Sequence, residues 1–434
     1  MIKPSNSNKK EILLKGIEVF FIRVLGYGCG FLFTWLLANK YGAKTQGVFA
    51  IAFMFLSVGA MISKLGIETA IVKWIARHAL TIERQAIYLK SLKLIVISSL
   101  ITALFLFFLA PLISSIYNKP DIELSIKIAA ISIPFLSILD VSASYFKGIQ
   151  KTGIFGLYAQ FFKFFAPFVF IVLFYTLSKS GFEIPIISYS IGLFLVSIIA
   201  VIHVSRALKL PSKIGQCSFK LGFKSMILDA YPMMISSAIV MIMGWSDVFV
   251  LGFYAEEHEI GVYNVAVKLS TIVSFTYNAV ATIATPKIAL YYKNEDTKLL
   301  RETIGFSSRL IFFCGLPIFT FIFIFPEFIL SFFGLEFVEG KTVLRILLIA
   351  QLTNVITGPV GAIFQMTEKQ KILQNYILIA LVFNVVFSLI LVRFFYLEGV
   401  AIASAIGMML WNVLGAYFIW KNMKIKTWVN FNNY

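Results

Sequence analysis

The chain has 434 residues, of which 59% are hydrophobic and only 14% are charged, and this balance excludes an ordinary soluble globular protein. The formal net charge of +17 would fit a nucleic-acid-binding protein, but the positions of the basic residues argue against that class. Repeated apolar stretches of roughly 20 residues are long enough to cross a bilayer core of about 30 Å as helices. The sequence therefore predicts an integral membrane protein of the all-α class.

Twelve apolar spans follow one another along the chain. We place them at residues 14–38, 47–63, 94–117, 122–146, 153–178, 184–205, 227–253, 261–286, 308–333, 342–366, 372–395 and 398–420. An even number of spans puts both termini on the same side of the membrane. Most of the 38 Lys and Arg residues lie on that side, so the positive-inside rule predicts that both termini are cytoplasmic. Basic residues that face anionic headgroups explain the net charge without nucleic acid.

The connections between the spans are short, so a soluble catalytic domain is not expected. The longest, residues 64–93, begins with the basic Lys64 and carries Ile67, Ile71, Trp74 and Ile75 at helical spacing. This pattern indicates an amphipathic helix lying at the membrane surface. The next longest connection, residues 206–226, is also predicted to be cytoplasmic.

The first apolar segment and the cysteines argue against a cleaved signal peptide, a disulfide framework and a metal site. The first apolar segment is a full span that contains Arg23, so it is predicted to be the first transmembrane helix rather than a cleaved signal peptide. The three cysteines, Cys29, Cys217 and Cys314, are odd in number and lack C-x-x-C spacing. Neither a disulfide framework nor a metal site is therefore expected.

An internal repeat relates the two halves of the chain. "LANKYGAKTQGVFAIA", residues 37–52, overlays "LGFYAEEHEIGVYNVA", residues 251–266, at an offset of 214. A weaker match pairs "FKGIQK", from Phe146, with "FQMTEK", from Phe364. We predict two parallel six-helix repeats around a central cavity: an N-lobe at 1–205, a linker at 206–226 and a C-lobe at 227–434. The alternative is that similar turns before membrane helices recur by chance.

The region "LLANKYGAKTQGVFAIAFMFLSVGAMISKLGIETAIVKW" and its counterpart "SDVFVLGFYAEEHEIGVYNVAVKLS" resemble the multidrug/oligosaccharidyl-lipid/polysaccharide exporter superfamily. Within it, the chain is most similar to polysaccharide repeat-unit flippases of the Wzx type. The resemblance implies two lobes that move an undecaprenyl-pyrophosphate-linked oligosaccharide from the cytoplasmic to the outer leaflet by alternating access. It also implies a bacterial inner membrane location and a role in O-antigen, lipopolysaccharide or capsule synthesis. Membrane lipids, a polysaccharide polymerase and chain-length machinery are the implied partners.

Two helices carry polar side chains at membrane depth. In the first span, Arg23, Tyr27, Gly30 and Thr34 share one helix face, and Gly26 and Gly30 have the spacing of a close-packing motif. The eighth span carries a longer polar stripe, made of Asn264, Lys268, Thr271, Asn278, Thr282 and Thr285. Such a stripe is typical of a helix that lines a polar path, although a row of interhelical hydrogen bonds would give the same pattern.

Charged side chains inside the spans are the candidate functional residues. Arg23, Lys163 and Lys268 are predicted to form a cationic cavity for the substrate pyrophosphate; the alternative is that they form ion pairs within the membrane. The carboxylates predicted to act in gating or in coupling to Na⁺ or H⁺ are Asp247, Asp140 and Glu18. In particular, we predict a salt bridge between Asp247 and Lys268 near the outer end of the seventh span.

Three other functions fit parts of this pattern. A drug exporter driven by Na⁺ or H⁺ would share the same architecture. A membrane-embedded glycan polymerase or glycosyltransferase would need paired carboxylates or a positioned base, and the scattered His78, His203 and His258 offer no metal-ligand spacing. A passive scaffold would not need polar stripes at midplane depth. We therefore expect a transporter, not an enzyme, with no cofactor besides a coupling ion.

Overall fold

The computed structural model describes the backbone of residues 6–78, 80–208 and 222–429, and the side chains of Glu18 and of residues from Phe21 onward in these ranges. All regular secondary structure in these ranges is helical, so the predicted all-α class is confirmed. The chain divides into two compact units, unit 1 (Met1–Met241) and unit 2 (Ile242–Tyr434), with the boundary inside one helix. Most of the predicted linker, and Cys217 with it, lies outside the described residues, so the predicted lobe bounds stay a prediction.

Seven helices and the start of an eighth make up unit 1. They are α1 (Asn6–Lys64), α2 (Ile67–Arg77), α3 (Thr81–Tyr117), α4 (Ile122–Gly148), α5 (Thr152–Gly156), a π-helical segment (Leu157–Phe162), α6 (Lys163–Thr176), α7 (Ile184–Ala207) and α8 (Phe223–Tyr254).

Unit 2 contains the rest of α8 and six further helices. They are α9 (Glu257–Lys293), α10 (Thr297–Ile324), α11 (Pro326–Ser331), a 3₁₀ segment (Leu335–Gly340), α12 (Lys341–Thr357), α13 (Val360–Met366) and α14 (Gln370–Met423).

Helix α1 is a hairpin of two spans rather than one long rod. Gly42 interrupts it with φ 83° and ψ 171°, a conformation that only glycine adopts readily. The rings of Phe33 and Phe49, on the two sides of Gly42, have centroids 5.3 Å apart. In a straight helix these residues would be about 24 Å apart along the axis, so the chain folds back on itself at Gly42.

Helix α14 folds back in the same way. Tyr396 interrupts it with φ 51° and ψ −124°. Asn384 donates a hydrogen bond from Nδ2 to Ser404 Oγ at 2.8 Å, although a straight helix would separate them by about 30 Å. The two hairpins therefore account for the first two and the last two predicted spans.

The remaining predicted spans also coincide with helices. Eight helices in the described part of the chain are long and apolar enough to cross a membrane, and the bent pair of Leu335–Thr357 with Val360–Met366 is a ninth candidate. Since α1 and α14 each hold two spans, and α9 is a further long helix interrupted by polar residues, all twelve predicted spans lie on helices. The chain is a multi-pass membrane protein.

The predicted amphipathic helix between the second and third spans is α2, but its environment differs from the prediction. Ile67, Ile71, Trp74 and Ile75 are at most 4% exposed. A Cβ on Gly148 of α4 would lie 2.8 Å from Ile75 Cβ, so the two helices are in close contact. The apolar face of α2 is thus covered by the protein itself and not by the surface of the bilayer.

Candidate functional site

Unit 1 contains a group of four buried or half-buried charged side chains, which we call the Asp140 cluster: Lys64, Glu68, Asp140 and Lys163. Each carboxylate oxygen of Asp140 binds one ammonium group: Oδ2 lies 2.9 Å from Lys64 Nζ, and Oδ1 lies 3.1 Å from Lys163 Nζ. Lys64 also binds Glu68 Oε2 at 2.5 Å. Two cations and two anions therefore balance one another inside the helix bundle.

Helix ends and one irregular turn position these side chains. Lys64 is the last residue of α1, and Glu68 lies four residues further on, in the first turn of α2. Lys163 follows directly after the π-helical segment, and the wider π turn changes the direction in which the next residue points. The side chain of Lys64 is 8% exposed, that of Asp140 13% and that of Lys163 20%, so Lys163 is the most open of the three.

The cluster concerns two residues singled out from the sequence. Lys64 was placed in a connection outside the membrane, but it is a buried partner of Asp140. Lys163 pairs with Asp140, which was the alternative considered from the sequence, and its assignment to the substrate cavity stays a prediction. Because two ammonium groups neutralise Asp140, this carboxylate has little attraction left for a third cation.

A second polar group lies in unit 2, and we call it the Asp247 cluster: Ser246, Asp247, Tyr263, Asn384 and Ser404. The hydroxyl of Tyr263 donates to Asp247 Oδ2 at 2.6 Å, and the hydroxyl of Ser404 donates to Oδ1. The amide of Asn384 donates to Ser404 at 2.8 Å, and Ser246 lies 3.5 Å from both Asp247 Oδ1 and Asn384 Oδ1. The carboxylate is thus surrounded by neutral oxygen and amide groups.

The predicted salt bridge between Asp247 and Lys268 is not among the contacts that the structure describes for Asp247, and depth along the helices explains why. Asp247 lies about 10 Å before the end of α8 at Tyr254, and Tyr263 lies about 9 Å after the start of α9. Lys268 lies about 16 Å into α9 and is therefore deeper than Asp247. Tyr263, not Lys268, is level with the carboxylate.

The internal repeat relates the Asp247 cluster to an aromatic group in unit 1. The offset of 214 continues through the first two spans of each half, and an offset of 215 overlays "EIPIISYSIG", residues 183–192, with "EGVAIASAIG", residues 398–407. The three equivalent pairs are Asp247 and Phe33, Tyr263 and Phe49, and Ser404 and Tyr189.

The contacts of these two groups match as well as their positions. In unit 1 the ring centroid of Phe33 lies 5.3 Å from that of Phe49 and 6.2 Å from that of Tyr189. In unit 2 Asp247 binds the residues equivalent to these two. The same three positions thus hold aromatic rings in unit 1 and hydrogen-bonding groups in unit 2. A comparison of the two halves of the repeat could therefore have identified Tyr263 and Ser404 from the sequence.

The predicted polar face of the first span is divided in the structure. Thr34 is 2% exposed and donates to Gly30 O at 3.1 Å, whereas Tyr27 is 40% exposed. Arg23 is partly buried, and its Nε has no hydrogen-bond partner among the described residues. The carboxylate of Glu18 lies against Gly153, where a Cβ would be 2.1 Å from Oε1. The face predicted to be uniformly polar thus combines a buried Thr34 with an exposed Tyr27.

Close packing by the glycines of the first span is confirmed. A Cβ on Gly26 would lie 2.5 Å from the carbonyl oxygen of Gln160 in the π-helical segment, and one on Gly30 would lie 3.4 Å from the ring of Phe164. Gly28, in contrast, has nothing within 4 Å of its Cβ position. The G-x-x-x-G spacing therefore brings α1 against the helix that carries Lys163.

The polar stripe of α9 lies on the open side of that helix. Its six members are partly or fully exposed, while Ile260, Leu269 and Val273 on the other faces are buried. Thr271 donates to Lys268 O at 2.7 Å and Thr282 to Asn278 O at 2.8 Å, so these hydroxyls are bonded within their own helix. No member of the stripe is fully buried, and Thr271 and Asn278 are its exposed members.

The two clusters differ in the ligand that they fit. Within the described residues, no group of three or more His, Cys, Asp and Glu side chains is placed to hold a metal ion. The Asp247 cluster instead offers one carboxylate with hydroxyl and amide oxygens around it, a ligand set that suits a hard monovalent cation or a proton.

Two family models and one curated relative match this chain. The family model described as "Polysaccharide biosynthesis protein" matches residues 13–290, and the MatE model matches residues 232–390. The chain is 24% identical over 422 residues to the "Probable low-salt glycan biosynthesis flippase Agl15" of Haloferax volcanii, covering 96% of this chain and 85% of that protein.

Two solved structures share the fold over nearly the whole chain. A lipid II flippase, MurJ, in an inward closed conformation has a TM-score of 0.76 at 17% identity, covering 94% of this chain and 87% of that chain. An inward-facing multidrug resistance MATE family transporter of the MOP superfamily has a TM-score of 0.73 at 16% identity, covering 93% and 98%. All three similar proteins are named as flippases or transporters rather than enzymes, in agreement with the sequence-based expectation.

Proposed function

The chain belongs to the polysaccharide biosynthesis protein family, whose model matches more than half of its length, and from this we propose that it flips lipid-linked oligosaccharides across a membrane. The observation that carries the proposal is the open polar face of α9, with Asn264, Lys268, Thr271 and Asn278 within a long membrane helix. A sugar has many hydroxyl groups that must stay hydrogen-bonded while it crosses the hydrocarbon core. Asn and Thr side chains supply such bonds, and Lys268 supplies a positive charge for a phosphate.

The finer assignment follows from the resemblance described above. We infer an undecaprenyl-pyrophosphate-linked repeat unit as the substrate, moved from the cytoplasmic to the outer leaflet of a bacterial inner membrane for O-antigen or capsule synthesis. The termini are then cytoplasmic, and a polymerase with its chain-length machinery takes the product. The cations Arg23, Lys163 and Lys268 favour an anionic substrate, since a buried pyrophosphate needs positive charge around it.

Coupling to an ion is assigned to unit 2. Asp140 is neutralised by two lysines, so it is a poor choice for the coupling carboxylate. Asp247 is bound by neutral donors instead, and Na⁺ beside the carboxylate would bind the oxygens of Tyr263 and Ser404 once these hydroxyls rotate their hydrogens away. A proton on Asp247 would serve the same purpose with H⁺ as the coupling ion.

A drug exporter is the second candidate, and the MatE match over residues 232–390, which contains Asp247, Tyr263 and Asn384, favours it. An organic cation would be repelled by Lys268, whereas a lipid-linked diphosphate would be attracted. Transport of both substrate types therefore has to be measured with the same protein.

The test uses the full chain in sealed vesicles of known orientation. A labelled polyprenyl-diphosphate-linked saccharide is placed in the leaflet corresponding to the cytoplasm, and its protection from an added glycosidase is followed over time. The proposal expects protection that depends on the protein and is lost in Lys268→Ala. Efflux of a cationic dye with no protection of the lipid-linked sugar would contradict it.

A further inference from the structure

We propose that Lys163 is a transferable cation: it leaves Asp140 to bind the phosphate of an anionic headgroup, and Lys64 keeps Asp140 neutralised during its absence. This inference rests on the proposed function, because it concerns the end of the lipid-linked substrate that carries the phosphates. It assigns a role to Lys64, which the sequence had placed outside the membrane.

The geometry of the Asp140 cluster separates a fixed cation from a movable one. Lys64 is bound on two sides, by Asp140 Oδ2 at 2.9 Å and by Glu68 Oε2 at 2.5 Å, and its side chain is 8% exposed. Lys163 has one acidic partner in the described part of the chain, Asp140 Oδ1 at 3.1 Å, and is 20% exposed. The more weakly held and more open ammonium group is therefore that of Lys163.

Charge balance allows this movement only if Lys64 is present. A buried carboxylate left without a partner is strongly unfavourable. When Lys163 leaves, Asp140 keeps its bond to Lys64 and is not left alone. Without Lys64, the departure of Lys163 would leave Asp140 unpaired, so Lys163 would stay bound to it. Lys64 is thus a positioning residue, which acts on the substrate through Lys163.

The ligand of Lys163 is a phosphate or diphosphate group, because an ammonium group binds phosphate oxygens as a compact point charge. Two sources carry this chemistry: the diphosphate of a lipid-linked saccharide and the phosphate of a bulk phospholipid. We assign the site to the diphosphate substrate, and the experiment separates the two sources.

The experiment measures the affinity of the full-length protein for inorganic pyrophosphate in neutral detergent by isothermal titration calorimetry. Lys163→Gln is expected to weaken binding at least tenfold, because it removes the cation that moves. Lys64→Met is expected to weaken it as much, because Lys163 then stays on Asp140. The double variant Lys64→Met/Asp140→Asn is expected to return to within about threefold of the wild type, since Lys163 is again released.

The recovery of affinity in the double variant distinguishes the exchange of Lys163 from a purely structural role of Lys64. Loss of a structural ion pair would make the double variant bind no better than Lys64→Met, and that result would overturn the proposal. The matched control is Lys127→Gln in the same unit, which removes a lysine paired with Glu123 at 2.6 Å and is expected to leave the affinity unchanged. The melting temperature of every variant shows whether it is folded. If Lys64→Met alone is unstable, the affinity of the double variant still tests the exchange.

Titrations in nanodiscs identify the source of the phosphate. The substrate assignment expects the same pyrophosphate affinity in phosphatidylcholine and in phosphatidylglycerol, and competition by a polyprenyl diphosphate. Competition by phosphatidylglycerol alone would assign Lys163 to bulk lipid and overturn the proposal.

If vesicles show no flipping but the affinities follow the expected pattern, the proposed function fails and the phosphate site stands. If flipping occurs without the pattern, only the exchange of Lys163 fails.

Discussion

Tyr263 donates its hydroxyl to Asp247 at 2.6 Å, at the two positions that Phe49 and Phe33 occupy in the other half of the repeat. If Asp247 is the coupling site, Tyr263→Phe removes one of its oxygen ligands and should lower the cation dependence of transport several-fold. Asp247→Asn should abolish that dependence. The measurement is the rate of flipping in vesicles with and without an imposed Na⁺ or H⁺ gradient.

The matched control for this pair is Tyr292→Phe, which removes a hydroxyl from the same helix, α9, away from the Asp247 cluster. It should leave the gradient dependence at the wild-type level. An equal loss in Tyr292→Phe, or full coupling in Asp247→Asn, would rule out the Asp247 cluster as the coupling site.

Asp140 should matter for stability as well as for binding. Asp140→Asn leaves the buried Lys64 and the half-buried Lys163 with only Glu68 to balance them, and breaking a buried ion pair typically costs about 3–5 kcal/mol. The cost should be at the lower end, because Lys163 is 20% exposed. We expect the melting temperature of the purified protein to fall by several degrees and to recover in part when Lys64→Met is added. A melting temperature equal to that of the wild type would show that the cluster is not a stabilising network.

The close approach of α1 to the π-helical segment makes Gly26 and Gly28 a matched pair. A Cβ on Gly26 would lie 2.5 Å from Gln160 O, so Gly26→Ala forces one backbone to shift, at a cost of about 1–3 kcal/mol. Gly28→Ala meets nothing within 4 Å and should be neutral or stabilising by up to about 1 kcal/mol, because alanine favours the helix. Thermal unfolding followed by tryptophan fluorescence compares them, and equal effects would contradict the described packing.

The turn at Gly42 gives a prediction about the hairpin of α1. A side chain at φ 83° and ψ 171° is strained, so Gly42→Ala should destabilise the protein by about 1–3 kcal/mol. Gly244→Ala, inside α8 with no atom within 4 Å of its Cβ position, should not. Abundance in the membrane together with melting temperature tests this, and a Gly42→Ala protein as stable as Gly244→Ala would mean that the hairpin turns elsewhere.

The spans could be predicted from the sequence because hydropathy and length alone determine which segments can cross a bilayer. Turns between helices appear in the sequence only as gaps between apolar spans. The gap between the first two predicted spans therefore suggested a loop, whereas the structure turns at the single residue Gly42. Helix ends outside the apolar stretch were missed: α3 begins at Thr81, well before the predicted span at residue 94. Polar residues extend a helix beyond the membrane without changing the hydropathy signal.

Partners of the charged residues could be predicted less well. The sequence identified Asp140, Lys163 and Asp247 as unusual, but it could not show which of several charges each one meets. Lys64 was missed because it ends its span, where a lysine ordinarily reaches water, and only the packing of α2 and α4 around it makes it buried. Tyr263 was missed because a tyrosine in a membrane helix is ordinary unless the repeat is used to compare it with Phe49.

The hairpin of α1 also limits how the orientation of this protein can be mapped. With one residue between two spans, the turn at Gly42 offers no length of peptide that a protease, an antibody or an inserted epitope could reach. The stretch between Thr176 and Ile184, at the corresponding end of two later helices of the same unit, is longer. A reporter placed there would probe that side of the membrane, whereas one placed at Gly42 would report only on a disrupted fold.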